Sequence, residues 1–570
     1  MSLKPASAPT PPGVARRGAA LFLLAALVAA LAAWAWQLAR PLPLPEVAAA
    51  RLPCVSYAPF RREGHTPFDP ALVVPPEQIE ADLRALATVT YCVRTYGLDH
   101  GIDAVPEIAR KLGLRVVLGA WIGRDALANR AQLERALQLA RTHGDVIDLL
   151  VVGNEVLLRR EQTPEAMAEL LREARAASPV PVAYADVWEF WLRHAAVLKP
   201  HVDVVAAHIL PYWEDHPVGA VAAVDHVHQI AGELRVAFAP LPVFVGETGW
   251  PAAGRQRGPA VAGAQEQSRF VREMLARQAS APLAFNLIEA YDQPWKRRLE
   301  GAMGGHWGMF DAQGRLRVAL HGPAPGDVLG STMLAAGACG ALAGLAFGLA
   351  TRRRARARVA RGLAWMLAAA GCAALLPLML REIEDWSRDP VEWLSHALMS
   401  GLSLGAALLA AARLAALAGG APAAPESGAV QLWRERAPLR LRMGAAVQLA
   451  YLFAMGVMAL GLLFDPRYRP LGWWWLAAPA VLAALAAWLG ARSAAEAREE
   501  RLLAAVCLVI APLIAVQEGW ANGQAQLTAA LLAALGLAHW LPSALHAAPF
   551  AGRTSTSAQS STAGAASHTE

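Results

Sequence analysis

Two apolar patterns divide the chain. Between residues 51 and 325, short runs rich in Val, Ile, Ala and aromatic side chains alternate with stretches whose apolar positions recur every three to four residues. The runs predict strands at Cys54–Tyr57, Tyr91–Tyr96, Arg115–Trp121, Leu149–Glu155, Pro181–Val187, Val202–Ile209, Pro242–Thr248 and Leu283–Glu289. The stretches between them, such as Pro76–Ala87, Arg130–Thr142 and Pro164–Ala177, predict amphipathic helices, with Thr163 as an N-cap ahead of Pro164. Strands that are apolar on both faces and separated by helices indicate a parallel sheet. Eight of them in about 270 residues is the size of a (β/α)8, TIM-type barrel. An open doubly wound sheet is the alternative. That fold usually carries a Gly-rich turn after its first strand, and Tyr57-Ala58-Pro59-Phe60 is not one.

The second pattern is long apolar runs with short polar breaks. Gly18–Leu38 precedes the barrel, and 328–350, 363–380, 394–417, 443–464, 473–490, 502–517 and 525–541 follow it. About 20 apolar residues cross a bilayer core as a helix. The first run exceeds the roughly 7–15 apolar residues of a signal peptide, and no small-x-small cleavage site separates it from Pro41–Pro45, so it reads as an uncleaved anchor. Lys and Arg in the short loops set orientation. With the N-terminus cytoplasmic, that side receives 17 of them, including the six arginines of Thr351–Arg361, and the opposite side receives four. The expected order is a cytoplasmic stretch 1–17, an anchor 18–38, a Pro-rich linker 39–50, an extracytoplasmic barrel 51–325, about seven transmembrane helices within 326–545, and a disordered cytoplasmic tail 546–570. This corresponds to a multi-pass protein of a bacterial inner membrane with its barrel on the periplasmic side. Gly340, Gly344 and Gly348, and likewise Gly401 and Gly405, recur every four residues, a spacing that lets helices approach closely.

Composition agrees. The chain is 55% apolar and 17% charged with a mean hydropathy of +0.31, whereas a soluble domain carries about 25% charged residues. The formal net charge of +6 suggests a polyanion binder until it is mapped. Residues 51–325 hold 29 basic and 31 acidic side chains, so the excess lies in the loops between apolar runs and nucleic acid is a poor partner. Cys54 and Cys92 fall on adjacent predicted strands, where a disulfide is possible, although cysteines on neighbouring strands more often stay separate because the bridge geometry is demanding. Asp225-His226-Val227-His228 reads as a solvated helix face, and no metal site or cofactor is expected.

Chemistry in such a barrel sits at the C-terminal ends of the strands. Those ends carry Tyr57, Arg94 with Tyr96, Trp121, Asn154 with Glu155, Asp186, His208, Glu247 and Glu289. Polar groups that end apolar strands are costly to bury without a partner or a task. Glu155 and Glu247 end the fourth and seventh strands.

The strings Val152-Gly153-Asn154-Glu155-Val156 and Val243-Phe244-Val245-Gly246-Glu247-Thr248-Gly249-Trp250-Pro251 resemble the two signatures of glycoside hydrolase family 17, the β-1,3-glucanases and glucanosyltransferases. Val93-Arg94-Thr95-Tyr96, the run Ile288–Lys296 and His306-Trp307-Gly308-Met309-Phe310 extend the likeness over about 50–320. The resemblance implies a (β/α)8 barrel and a retaining mechanism, with Glu155 as acid/base and Glu247 as nucleophile. It also implies that Asn154 contacts the sugar 2-hydroxyl and that Glu289 and Lys296 lie beside the site. Arg94, His208 and Tyr212 are further candidate substrate contacts, with Tyr212 also an open candidate for the orienting tyrosine, and Tyr57, Tyr96, Trp250 and Trp307 are candidate ring platforms. Where family enzymes commonly show Asn-x-Tyr-Pro after strand six, this chain has His208-Ile209-Leu210-Pro211-Tyr212-Trp213, so the tyrosine that would orient the nucleophile is displaced; Gln293 stands where an acidic residue is often found.

The expected function is a membrane-anchored β-1,3-glucan transglycosylase that elongates or branches β-glucans in the periplasm, as bacterial relatives joining this barrel to membrane helices often do. An endo-β-1,3-glucanase is the alternative, and a non-catalytic glucan-binding or export accessory the further one. The expected partners are a β-glucan, the lipid bilayer and a glucan synthase or export protein.

Overall fold

The structure is a computed structural model and describes residues 12–47, 51–350, 355–423, 425–493 and 497–540. The expected tail 546–570 and part of the arginine run lie outside them. Eight strands close a barrel in sequence order, each parallel to the next: β1 (Val55–Ser56), β2 (Cys92–Arg94), β3 (Arg115–Ala120), β4 (Ile147–Asn154), β5 (Val182–Val187), β6 (Val204–His208), β7 (Val243–Thr248) and β8 (Phe285–Leu287). β8 returns to β1 through Val55 and Leu287. Most strands are shorter than the apolar runs that predict them, because the ladder ends where the chain turns toward the loops.

Outward residues such as Val93, Leu118, Leu150, Val205 and Val245 pack against the surrounding helices. A smaller inner cluster of Cys54, Cys92, Val117, Leu149, Val151, Ala183, Ala185 and Ala206 fills the lumen. Cys54 and Cys92 form a disulfide with Cα atoms 4.3 Å apart. The register that sets Val55 opposite Val93 makes the two cysteines inward-facing neighbours, which supplies the geometry that adjacent strands usually lack. Helix starts follow the sequence. The Thr163 hydroxyl accepts from the Ala166 N–H at 3.2 Å ahead of Pro164–Ala177, and Asp125 caps Ala126–Thr142 through Leu127 N–H at 2.8 Å.

All eight apolar runs are helices: α1 (Val14–Ala39) before the barrel, then α2 (Val328–Leu349), α3 (Ala355–Trp386), α4 (Pro390–Ala418), α5 (Leu439–Phe464), α6 (Trp473–Trp488), α7 (Arg498–Glu518) and α8 (Gly523–Trp540), numbering these apolar helices alone. Five of them, α1 to α5, are long and apolar enough to cross a membrane by length and composition. Glycines let α2 and α3 touch backbone to backbone: a Cβ at Gly340 would lie 2.5 Å from the Ala369 carbonyl, and one at Gly344 2.4 Å from that of Trp365. Gly405 meets Val447 on α5, whereas Gly401 faces open space.

The chain runs back and forth, so the bundle has two unlike ends. At one, Gly420 lies against the Arg17 guanidinium and Ser493 pairs with Glu426. The other end meets the barrel. There Arg255 of the loop after β7 pairs with Glu518 at 2.6 Å, and its guanidinium donates to the carbonyls of Pro466 and Arg469. Gln256 exchanges hydrogen bonds with Ala521, Asn522 and Gln524. From the loop after β8, Arg297 donates to the Glu384 carbonyl at 3.3 Å. The C-terminal face of the barrel along β6–β8 therefore rests on the connections between α3 and α4, α5 and α6, and α7 and α8.

The Cys54–Cys92 bridge spans 38 residues of sequence, and closing a loop of that length restricts the unfolded chain by about 3–4 kcal/mol in the chain-entropy account. Replacing both cysteines by alanine should lower the barrel's thermal midpoint by about 5–15 °C in a fluorescence melt of the full chain. Dithiothreitol should then have no further effect on the variant.

Candidate active site

The β4 terminus departs from strand geometry at the point where it must present a side chain. Gly153 has φ +84°, and a Cβ there would lie 2.8 Å from Val156. Glu155 itself adopts φ +52°, a conformation that a non-glycine residue holds only when its surroundings enforce it. The Glu155 N–H donates to the Ala185 carbonyl at 2.7 Å, tying the bend to β5. The carboxyl then projects into the mouth of the barrel, where one of its oxygens lies within 4.8 Å of one from Glu247 at the end of β7.

Arg94 on β2 holds this arrangement from below. Its guanidinium is buried and donates to Glu247 Oε1 at 2.7 Å, to the Gly246 carbonyl at 3.0 Å and to Asn154 Oδ1 at 2.6 Å. His208, at the end of β6, stands between the acids, with Nδ1 3.0 Å from Glu155 Oε1 and Nε2 3.7 Å from Glu247 Oε1. A Cβ at Gly246 would lie 3.1 Å from the His208 ring, so glycine gives the imidazole room. Burial alone would raise the Glu247 pKa. The imidazole of His208 and the Arg94 guanidinium outweigh it, leaving the carboxyl below the usual glutamate value and ionised.

A second acid–base group flanks the pair. Burial pushes Glu289 up to about 7 against the pull of Lys296, whose ammonium sits 2.9 Å and 3.0 Å from its two oxygens. Lys296 is itself raised, its burial being outweighed by Glu289 and Glu300. Glu300 was not among the residues expected from the sequence. A Cβ on Gly304 would stand 3.0 Å from both Glu300 Oε2 and the Lys296 carbonyl, which sets this carboxyl beside the Glu289–Lys296 pair; burial lifts it to about 7, with Lys296 opposing and the charges of Glu155 and Glu247 adding to it. It lies four residues beyond Lys296 and just before Gly301 at φ +73°; that acid in the loop ahead of His306-Trp307-Gly308 was the available signal.

The remaining candidates divide by exposure. Asn154, Arg94, His208, Glu289 and Lys296 converge on the carboxylate pair, and Tyr96 lies beside it with its phenol raised by burial and by Glu247. Tyr57, Tyr212, Trp250 and Trp307 are buried behind the site. The Tyr57 hydroxyl donates to Asp82 at 3.1 Å, that of Tyr212 to the Arg255 carbonyl at 2.5 Å, and the Trp250 indole to the Val261 carbonyl at 2.9 Å. Trp307 and Trp250 both meet the Tyr212 ring edge-on. The Tyr212 hydroxyl is thus engaged by Arg255, and the side chain that hydrogen-bonds Glu247 is Arg94. Gln293 is a buried tie between the Ala58 carbonyl and the Trp295 indole. Trp121 is an exposed aromatic at the rim, 40% accessible with the Arg159 guanidinium 4.1 Å from its ring centre. On the barrel's flank, His226 pairs with Glu214 and Asp225 with Arg277.

Residues 54–308 match the BtgE/BtgC glycoside hydrolase domain. A glucan 1,3-beta-glucosidase of Schizosaccharomyces pombe is 27% identical over 38% of this chain and 72% of its own length. That of Arthroderma benhamiae is 26% identical over 41% and 80%, and a probable beta-glucosidase of Aspergillus fumigatus 26% over 38% and 39%. Among solved structures, a glycoside hydrolase family 17 beta-1,3-glucanosyltransferase from Rhizomucor miehei aligns with 48% of this chain and 99% of its own, at 22% identity and a TM-score of 0.42.

Replacing Arg94 with methionine removes the cation that opposes burial of Glu247. The acid limb of the kcat/KM–pH profile should move toward neutral pH, since a carboxylate that is harder to ionise requires higher pH. Stability should fall by about 3–5 kcal/mol, the cost of leaving a buried charge unpaired. Denaturant unfolding and the pH profile read the two effects separately.

Proposed function

We propose that this family 17-like glycoside hydrolase domain acts on β-1,3-glucan by a retaining mechanism and passes the glucosyl unit to another glucan chain. The observation that carries the reading is the approach of one Glu155 carboxyl oxygen to within 4.8 Å of one from Glu247, with Glu247 held ionised by Arg94 and His208. Retaining enzymes set their two carboxyls about 5–5.5 Å apart, while inverting ones leave about 6.5–9.5 Å for a water.

In the first step an oxygen of Glu247 attacks the anomeric carbon, the glycosidic C–O bond breaks, and protonated Glu155 delivers its proton to the departing oxygen. In the second, Glu155 takes the proton from an incoming hydroxyl as that oxygen bonds to the anomeric carbon and Glu247 leaves. Asn154, its Oδ1 held by Arg94, keeps its amide N–H groups for the sugar 2-hydroxyl. The partly exposed Trp121 offers a ring face to a glucose residue. Docking of the helical bundle over the β6–β8 side reduces the rim open to water, which supports transfer over hydrolysis.

The helices support membrane anchoring with the barrel outside the cytoplasm. Among the described residues, Arg17, Arg442 and Arg501 stand at the end of the bundle away from the barrel, which supports a cytoplasmic placement of that end by the positive-inside bias. The Cys54–Cys92 disulfide fits an oxidising compartment such as the periplasm. On this side of an inner membrane, a glucan synthase or exporter would deliver the acceptor chains.

Full-length protein incubated with linear β-1,3-linked glucose oligomers should yield products longer than the input; only shorter products would identify an endoglucanase. Glu155→Gln should lower kcat by about 10²–10⁴-fold, the usual worth of a general acid–base group. Glu247→Ala should abolish turnover while retaining oligosaccharide binding. Unaltered behaviour of both variants would make the barrel a non-catalytic binding module.

A further inference from the structure

The wall of the cleft beyond Glu300 is not made by the barrel alone. Gly301, the next residue, lies so close to the α5–α6 connection that a Cβ on it would stand 3.1 Å from the Tyr468 carbonyl and 3.3 Å from the Tyr468 Cα. The Tyr468 side chain turns toward the loop after β6, where its ring meets that of Trp213 at 6.2 Å between centres and an interplanar angle of 32°. Tyr468 remains 36% exposed and Trp213 half-buried. Two guanidiniums flank these rings. Arg257 lies 4.9 Å from the Trp213 ring centre, and Arg467 5.5 Å from Trp213 and 5.7 Å from Tyr468. Arg257 also donates to the Tyr212 carbonyl at 2.8 Å. The connection is held in place from behind by the Arg255–Glu518 pair, both of whose side chains are largely buried, and by the Arg255 bonds to Pro466 and Arg469.

We propose that Trp213 and Arg257 of the barrel and Tyr468 and Arg467 of the helical domain together form a further glucose-binding subsite of the cleft. The inference rests on the glucan reading above. The exposed Tyr468 ring suits the apolar C–H face of a pyranose, and it is backed by Trp213, which itself stacks on Tyr212 with ring centres 6.3 Å apart. A planar guanidinium presents parallel N–H donors that suit two neighbouring hydroxyls. Among the described residues neither Arg257 nor Arg467 forms an ion pair with a carboxylate, so both keep donors for a neutral, hydroxyl-rich ligand. The subsite begins next to Glu300, and an oligomer longer than the segment held at the catalytic pair would reach it.

Binding of β-1,3-linked glucose oligomers of two to seven units is measured by calorimetry on the full chain in nanodiscs, with Glu247→Gln present to block turnover. Affinity should rise with length in this background. Adding Tyr468→Ala should cut the affinity of the longest oligomers by about tenfold, equivalent to 1.4 kcal/mol, and that of the dimer far less. Tyr468→Phe should restore most of the loss, and Arg467→Ala should show the same length-selective loss as Tyr468→Ala. An equal loss at every length would mark Tyr468 as structural and overturn the subsite, as would no loss at any length; either result leaves the glucan reading standing. Failure of every oligomer to bind the chain carrying only Glu247→Gln would overturn the glucan reading, and the subsite with it.

Discussion

A guanidinium sealed into the mouth of the barrel is the constraint on which the site depends. Arg94 stays charged under all physiological conditions, and a cation taken out of water costs several kcal/mol unless its donors are met. Its two Nη groups meet theirs with groups from two other strands, the Glu247 carboxylate and Gly246 carbonyl on β7 and the Asn154 amide on β4, while Nε has no hydrogen-bond partner among the described residues. The same bonds do three things at once. They fix the ends of β2, β4 and β7 relative to one another, they keep Glu247 ionised in a place where burial would protonate it, and they orient the Asn154 amide. The bonds that bury the guanidinium and the bonds that keep Glu247 ionised are thus one network, and His208 extends it to Glu155.

That network explains which parts of the molecule were legible in the sequence. Apolar runs report the faces a strand or helix buries, so all eight strands and all eight apolar helices could be read. Polar residues at strand ends stand out against those runs, which is why Glu155, Glu247, Arg94, Asn154 and His208 were identified together. Periodicity carries no information about a loop that folds back over the barrel mouth, and Glu300 was missed for that reason. Nor does it tell which ring faces are covered. Tyr57, Tyr212, Trp250 and Trp307 lie near the site in sequence terms, yet each is enclosed by neighbours such as Phe270 and Tyr291. The disulfide was left open because pairing depends on register, and register is a property of two strands rather than of either one.

The contact between barrel and bundle belongs to the same illegible class. Arg255 and Gln256 sit in a Gly- and Pro-containing loop that local sequence marks only as irregular, and more than 200 residues away Glu518 ends α7 and Gln524 lies in the first turn of α8. Their pairing is nonetheless among the more buried polar contacts of the chain: the Arg255 side chain is 3% exposed and that of Glu518 12%. Such a pair is costly when broken, so the two domains are held in one relative placement instead of being tethered by a flexible linker.

On the proposed reading, fixed placement bears on what becomes of a glucosyl–enzyme ester. The intermediate is consumed by whichever hydroxyl reaches the anomeric carbon first, and bulk water is always the more abundant competitor. A freely tumbling domain would meet acceptors only by diffusion. A barrel held by its β6–β8 rim against a bundle is confined instead to one surface, with its open side, marked by Trp121, turned away from the covered one. Acceptor chains retained at that surface have a high effective concentration without any increase in intrinsic affinity. On the proposed reading, the helical domain therefore favours transfer through geometry, by narrowing the approach of water and by keeping the ester where glucan hydroxyls are most concentrated.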